Sequence, residues 1–306
     1  MNESEVLSRR FSRGSQIHFG QLGTGLVLAK IDTPHATATV SMCGGHVVSW
    51  RPKHQVEPVL WVSKLAKFTP GKAIRGGAPI CWPWFGAHPR QTSLPGHGYA
   101  RITPWELKSV ETLVNGTTEL NLSIGKSDLS QLHWQTGVHL ELKIAIGDTL
   151  EITLTTVNKS DHEVTFTEGL HTYFQISDIV DIRVLALEGS DYIDLVNQNE
   201  RRIQQDPITF EGELGRIFLD NQSTCVIEDP AFNRRIRIEK TGSNSTAVWN
   251  PGLTVASKMD DLGAVGWRDM VCVESANALG NKINLDPLKA HTHVALHAVE
   301  SLASFK

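Results

Sequence analysis

Long apolar runs are missing from this sequence. No window comes near the roughly 20 apolar residues of a membrane-spanning helix. The opening MNESEVLSRRFSRGSQ also lacks the continuous apolar stretch of a secretory signal. Cysteine is scarce: Cys43, Cys81, Cys225 and Cys272 lie far apart, with no C-x-x-C spacing. That pattern argues against a disulfide framework and for buried thiols in a reducing compartment. A cytoplasmic protein with no membrane partner is the expectation. An excess of positive charge is lacking too, since 29 Lys+Arg stand against 33 Asp+Glu for a net charge of −4. The adjacent pairs Arg9-Arg10, Arg201-Arg202 and Arg234-Arg235 are too scattered to track a phosphate backbone, so no nucleic-acid partner is expected.

Helical periodicity is thin. Ser127–Gln135 could form a short helix capped by Ser127 or Asp128, and Ala276–Asn281 could hold one turn. No βαβ alternation is visible, and Gly23-x-Gly25 precedes a strand rather than a helix, which argues against a nucleotide-binding loop. Period-two segments dominate instead. Val138, Leu140, Leu142, Ile144 and Ile146 share one face, Gly147-Asp148 follows, and Leu150, Ile152 and Leu154 resume the alternation. Such a pair of runs joined by a glycine-led turn predicts an antiparallel hairpin. Further strands are expected at 26–31, 36–42, 46–50, 119–124, 182–187, 235–239, 246–249, 271–274 and 292–299. With hydrophobic residues at 40% and charged residues at 20%, the chain can bury a large core without disulfides. The fold class expected is all-β, a large antiparallel β-sandwich. Residues 17–306 would form its single domain, and residues 1–16 a flexible leader.

Four segments could carry chemistry. RGGAPICWPWFG, from Arg75 to Gly86, sets Trp82, Trp84 and Phe85 behind one arginine. Aromatic faces suit the C–H faces of sugar rings and an arginine fork suits a phosphate or carboxylate; equally, the aromatics could plug the end of a sandwich. LPGHGYAR offers Gly96, His97 and Arg101, with glycines at 96 and 98 that let a ligand approach the backbone, or simply a glycine-rich turn. In TFTEGLHTYFQISD, His171 sits among Leu170, Tyr173 and Phe174, placed either to move a proton near neutral pH or to satisfy a core neighbour. Glu168 is its orienting partner or a strand-edge charge. In DMVCVESAN, Glu274 closes a nearly continuous apolar run. It is either a carboxylate whose desolvation raises its pKa toward that of a useful base, or the first solvated residue after the strand.

Metal and nucleophilic chemistry find less support. His291, His293 and His297 share a face of the last strand, but no Cys or carboxylate lies beside them at ligand-like spacing. A solvated outer face is expected there, and no metal site. No G-x-S-x-G occurs.

Taken in order, RGGAPICWPWFG, LPGHGYAR, EGLHTYF followed by ISDI, VWNPG (Val248–Gly252) and MVCVESA resemble the hexose-6-phosphate mutarotases, or glucose-6-phosphate 1-epimerases. These are a branch of the aldose 1-epimerase family. The resemblance covers about residues 38–299. It implies a galactose mutarotase-like sandwich with its site in a cleft on one sheet, and no cofactor. It further implies His171 as general acid/base at the ring oxygen and Glu274 as base at the anomeric hydroxyl. Arg75 and Arg101 fall at positions that bind the sugar phosphate, with His97 beside the ring. Trp82, Trp84 and Trp249 are candidates for stacking on it, the first two favoured by their place in the arginine loop. Where relatives often read D-R-[IV]-Y, this chain reads Gly215-Arg216-Ile217-Phe218, so a sugar-contacting aspartate is replaced by Gly215. The activity implied is interconversion of the α and β anomers of a hexose 6-phosphate by a monomer. Two other readings fit the same residues: a mutarotase of unphosphorylated aldoses, and a non-catalytic carbohydrate-binding or regulatory protein on the same fold.

Overall fold

The computed structural model describes residues 1–12, 16–124 and 137–302. The helix expected at 127–135 lies outside them. Strands dominate, and where named strands pair they pair antiparallel. Leu150–Asn158 follows Val138–Ile146 across a turn in which the Gly147 N–H donates to the Thr149 carbonyl (2.9 Å). The register pairs Ile146 with Leu150. The predicted apolar face of this hairpin is the buried one: Val138, Leu140, Leu142, Ile144, Ile146, Leu150, Ile152 and Leu154 are at most 2% exposed.

Two eight-stranded sheets form the body among the described residues. The first includes Leu214–Phe218, Ser245–Asn250, Met270–Asn277, Glu168–Leu170 and Ile80–Cys81 in that spatial order, with Tyr173–Gln175 pairing onto Met270–Asn277. The second centres on Arg234–Thr241, Ala290–Ser301, Leu150–Asn158 and Val138–Ile146. A four-stranded sheet from residues 17–52 and a two-stranded pairing of Val164–Phe166 with Ile283–Leu285 complete the arrangement. Val248, Val271, Val273 and Phe174 of the first sheet share one core with Ile236, Ile238, Leu154, Ala295 and Val299 of the second. This is the expected sandwich, driven by removal of two apolar faces from water.

Period two then decides what the first sheet shows on its other face. Along Met270–Asn277, Val271 and Val273 point into the sandwich core, while Met270 and Cys272 pack in a separate cluster with Trp61 and Tyr173. Glu274 shares their parity. The register sets Gly215, Trp249, Cys272 and Tyr173 in one cross-strand row, and Ile217, Ala247 and Glu274 in the next. Gly215, Trp249, Ile217, Ala247 and Glu274 of these rows line the site, and Cys272 does not.

Two local expectations differ from what is seen, and a third is met in a shorter form. Residues 3–11 of the expected leader form a helix, Glu3–Phe11, closed by a capping box between Asn2 and Glu5 and anchored by buried Phe11; its polar sequence concealed a cap signature. The turn expected within 276–281 is a 3-10 turn at Leu279–Asn281, because the preceding strand runs on to Asn277. The histidines of the last strand face inward. His293 and His297 are at most 1% exposed, and burial pushes His297 down to about 4. Their partners come from the opposite sheet, which spacing along one strand cannot reveal. Glu168 Oε1 lies 3.0 Å from His291 Nε2 and 3.3 Å from His293 Nδ1, while His293 Nε2 meets Ser275 Oγ at 2.9 Å. Burial alone would raise the Glu168 pKa, but the two histidines outweigh it and hold the carboxylate at about 2. Glu168 is therefore a tie between the sheets and does not orient His171.

Candidate active site

A cavity of about 460 Å³ opens on the outer face of the first sheet, within the range common for small-ligand sites. The Gly215 and Ile217 strand, the Ala247 and Trp249 strand and Glu274 form its floor. Arg75, Phe85, His97 and His171 come from the loops around it.

His171 follows the Glu168–Leu170 strand, and its N–H donates to the Pro79 carbonyl (3.0 Å). Its ring lies on that of Tyr173, with centroids 4.8 Å apart and planes within 10°. Two residues of spacing at this bend bring the rings onto one side and fix the imidazole. Glu274, 2% exposed, sits in mid-strand rather than at its end, so the solvated reading is excluded. Its Oε1 lies 3.4 Å from His171 Nδ1, while Oε2 has no hydrogen-bond partner.

Burial pushes the Glu274 pKa well up, with the Arg101 charge opposing. It pushes that of His171 well down, helped by His97 and by the charges on Arg101 and Arg75. Both shifts favour the pair in which each member is uncharged, a carboxylic acid beside an imidazole. That pair and its tautomer, carboxylate beside imidazolium, hold the same single proton. A ligand that separates charge can therefore draw the second form from the first without exchange with solvent.

A smaller side cavity of about 200 Å³ adjoins the first through Arg75, His97 and His171, and adds Arg101, Tyr173 and Asp261. Arg75 donates to the Tyr173 hydroxyl (2.9 Å) and pairs with Asp261 (3.2 Å). Burial would weaken the guanidinium, but Tyr173 and Asp261 more than offset it and hold Arg75 charged. Tyr173 itself is pushed up by burial against the pull of Arg75, and stays a phenol. Arg101 donates to the Gly96 carbonyl (2.6 Å), while its Nε has no partner. Both arginines thus line this one corner.

His97 is held neutral. Burial, then the charges of Arg101 and Arg75, lower it to about 3. Its Nδ1 accepts the Gly86 N–H (3.2 Å) and lies 3.3 Å from Cys81 Sγ, which leaves the ring hydrogen on Nε2. The loop can close this tightly because Gly98, at φ +73°, lies against the Trp82 carbonyl; a Cβ there would come within 2.1 Å of that oxygen.

The aromatic assignment is corrected. Trp82 is fully buried in the sandwich core. Trp84 is buried too, donating to the Pro95 carbonyl (2.9 Å) and packed edge-on to Tyr99 and His88. Neither lines the cavity; Trp249 and Phe85 do. Gly96 acts through its carbonyl on Arg101 rather than on the cavity wall. Gly215 is on the wall, and the nearest atoms to a Cβ there would be those of the Leu195 and Trp249 side chains, from 3.3 Å. Tyr173 and Asp261 were missed as site residues, whereas Phe85 belongs to the aromatic cluster named from the sequence and does line the cavity. Parity with His171 would have found Tyr173, whereas Asp261 lies in a loop with no pattern of its own.

Comparison with known proteins agrees with this geometry. The aldose 1-epimerase family model matches residues 28–296. An Escherichia coli K12 protein named "Putative glucose-6-phosphate 1-epimerase" is 37% identical over 83% of this chain and 84% of its own. A Cenchrus ciliaris protein of the same name is 34% identical over 86% and 82%. The crystal structure of a "putative mutarotase" from Salmonella typhimurium superposes with a TM-score of 0.88 at 31% identity, covering 95% of this chain and 96% of that one. A galactose mutarotase-like protein from Clostridium acetobutylicum shares the fold at a TM-score of 0.71 and 14% identity, over 93% and 98%. The chain belongs to the aldose 1-epimerase family.

Proposed function

We propose that this protein interconverts the α and β anomers of a hexose 6-phosphate, with His171 and Glu274 as the proton carriers. The observation that carries the reading is their 3.4 Å approach in a buried cavity beside two convergent arginines. The anomeric hydroxyl and the ring oxygen are bonded to the same carbon, so two groups side by side can address both. Glu274, as carboxylate, removes the hydroxyl proton while His171, as imidazolium, delivers one to the ring oxygen. The ring C–O bond breaks and the aldehyde forms. Rotation about C1–C2 and closure on the other face return both protons. Every bond change is accompanied by a proton shift, so the chemistry needs no redox step.

The phosphate is assigned to the corner where Arg75 and Arg101 meet. Arginine forks suit its oxygens, and neutral His97 can donate from Nε2 without adding charge. Trp249 and Phe85 supply apolar surface for the sugar's C–H faces. The name of the Escherichia coli and Cenchrus ciliaris relatives supports the choice of glucose 6-phosphate among hexose phosphates. A cytoplasmic location is part of the same proposal, on the strength of four free cysteines; among the described residues no helix is long and apolar enough to cross a membrane.

Polarimetry on freshly dissolved α-glucose 6-phosphate tests this reading. The protein should speed the approach to anomeric equilibrium in proportion to its concentration. An unchanged spontaneous rate would leave only a carbohydrate-binding role.

A further inference from the structure

Cys272 has no part in the proton transfers described above, yet it lies two residues from Glu274 on the same face of the strand, behind the cavity wall. One donor atom each from His171, Cys272 and Glu274 falls within 4.8 Å of the other two, and all three residues are buried. Two of these donors have unmet capacity: His171 Nδ1 and Glu274 Oε2 make no hydrogen bond although each is buried. An imidazole, a thiol and a carboxylate make the mixed N, S, O donor set of a borderline-soft cation, and one that a hard ion such as Mg²⁺ does not favour.

The spacing is close to what such an ion needs. With Zn–N, Zn–S and Zn–O bonds of about 2.0 to 2.3 Å, tetrahedral geometry sets neighbouring donors about 3.3 to 3.7 Å apart. His171 and Glu274 are already at 3.4 Å. A shift of about 1 Å or less would bring the set together around such an ion. The thiolate and carboxylate would balance the two positive charges, the thiol proton and the proton held by the His171–Glu274 pair both leaving to solvent. The fourth position would face the cavity.

We infer that His171, Cys272 and Glu274 form an inhibitory site for a thiophilic divalent cation such as Zn²⁺ or Cd²⁺. The consequence for catalysis rests on the proposed function, because an ion held there immobilises both proton carriers and competes with the sugar. The binding itself does not rest on it.

The test uses the full chain, with Zn²⁺ followed by calorimetry and by mutarotation of glucose 6-phosphate, and Cd²⁺ followed by its thiolate charge-transfer absorption. Wild-type protein should bind one Zn²⁺ in competition with glucose 6-phosphate, lose activity in step with occupancy and recover it with EDTA. Mg²⁺ should leave the rate unchanged. C272A and C272S, used together in case one is poorly folded, should keep mutarotation. Their zinc requirement for inhibition should rise at least by the about 10- to 100-fold that even an outer-shell partner is worth. Equal inhibition of wild type and both variants at the same Zn²⁺ concentration would overturn the inference, as would absence of binding to wild type. A Cys272-dependent Cd²⁺ signal in a protein without mutarotase activity would uphold the metal site and sink the functional reading alone.

Discussion

His171 Nδ1 and Glu274 Oε1 stand 3.4 Å apart, both buried, without a hydrogen bond on that nitrogen. The first prediction is drawn from this relationship. H171A and E274Q should each lower mutarotation by about 10²- to 10⁴-fold, the usual worth of a positioned acid or base. Saturation-transfer NMR between the anomers measures the rate, with far-UV circular dichroism as the check on folding. A variant within a few-fold of wild type at several pH values would remove that residue from the proton path.

The second prediction concerns pH. On the proposed mechanism the pair must hold one proton. With ordinary values of about 4.3 and 6.5, that state would empty as pH rose through about 6.5. Here burial lifts Glu274 and lowers His171, so the retained proton sits on the group that releases it late. The acid limb comes when His171 takes a second proton, below its ordinary value. The alkaline limb of the rate, corrected for substrate phosphate ionisation, should therefore follow Glu274 and the acid limb His171, the reverse of the ordinary order. Limbs at about 4.3 and about 6.5 would show a pair with ordinary values.

The same shift has a cost in stability. A carboxyl whose folded pKa is raised contributes fully below its unfolded value, and that contribution is lost as pH rises toward the folded one. Each unit is worth about 1.4 kcal/mol. E274Q carries no such titration and should melt higher than wild type at neutral pH, the gap closing near pH 4. Calorimetric scans at several pH values measure this; a lower melting point for E274Q throughout would contradict the burial argument.

Arg75 is held by Tyr173 and Asp261 at the mouth of the side cavity. Losing a charged hydrogen bond of about 1.5 to 3 kcal/mol predicts that R75A raises KM for glucose 6-phosphate by roughly 10- to 150-fold. The KM for glucose should barely move. Equal effects on both sugars would place the phosphate elsewhere.

The corrected aromatics separate two variants. W82A removes a fully buried core side chain and should cost about 3 to 5 kcal/mol of stability. W249A removes a half-buried cavity wall and should act chiefly on KM. Denaturant melts and steady-state kinetics distinguish them, and the reverse pattern would restore the sequence-based assignment.

Those two tryptophans also show where sequence reading stops. Alternation located the 138–157 hairpin, because period two is a local property of the chain, and a nearly continuous apolar run marked the buried strand that carries Glu274. Arg75, Arg101, His97 and His171 were legible as a group only through their motifs' order, and the structure does bring them together. Trp82 enters the sandwich core while Trp249 faces the cavity, and for Trp249 that depends on register with a strand far away in sequence. The pairing of Glu168 with His291 and His293 crosses between sheets and leaves no local periodic trace. Asp261 became visible only when folding carried its loop to Arg75.

The most direct measurement of the central claim is saturation transfer between the C1 resonances of α- and β-glucose 6-phosphate, run with wild type, E274Q and H171A and repeated on unphosphorylated glucose. The account predicts fast transfer on the phosphosugar with wild type, weaker transfer on glucose, and the spontaneous background with either variant. Background transfer with wild-type protein, or undiminished transfer with both variants, would contradict it.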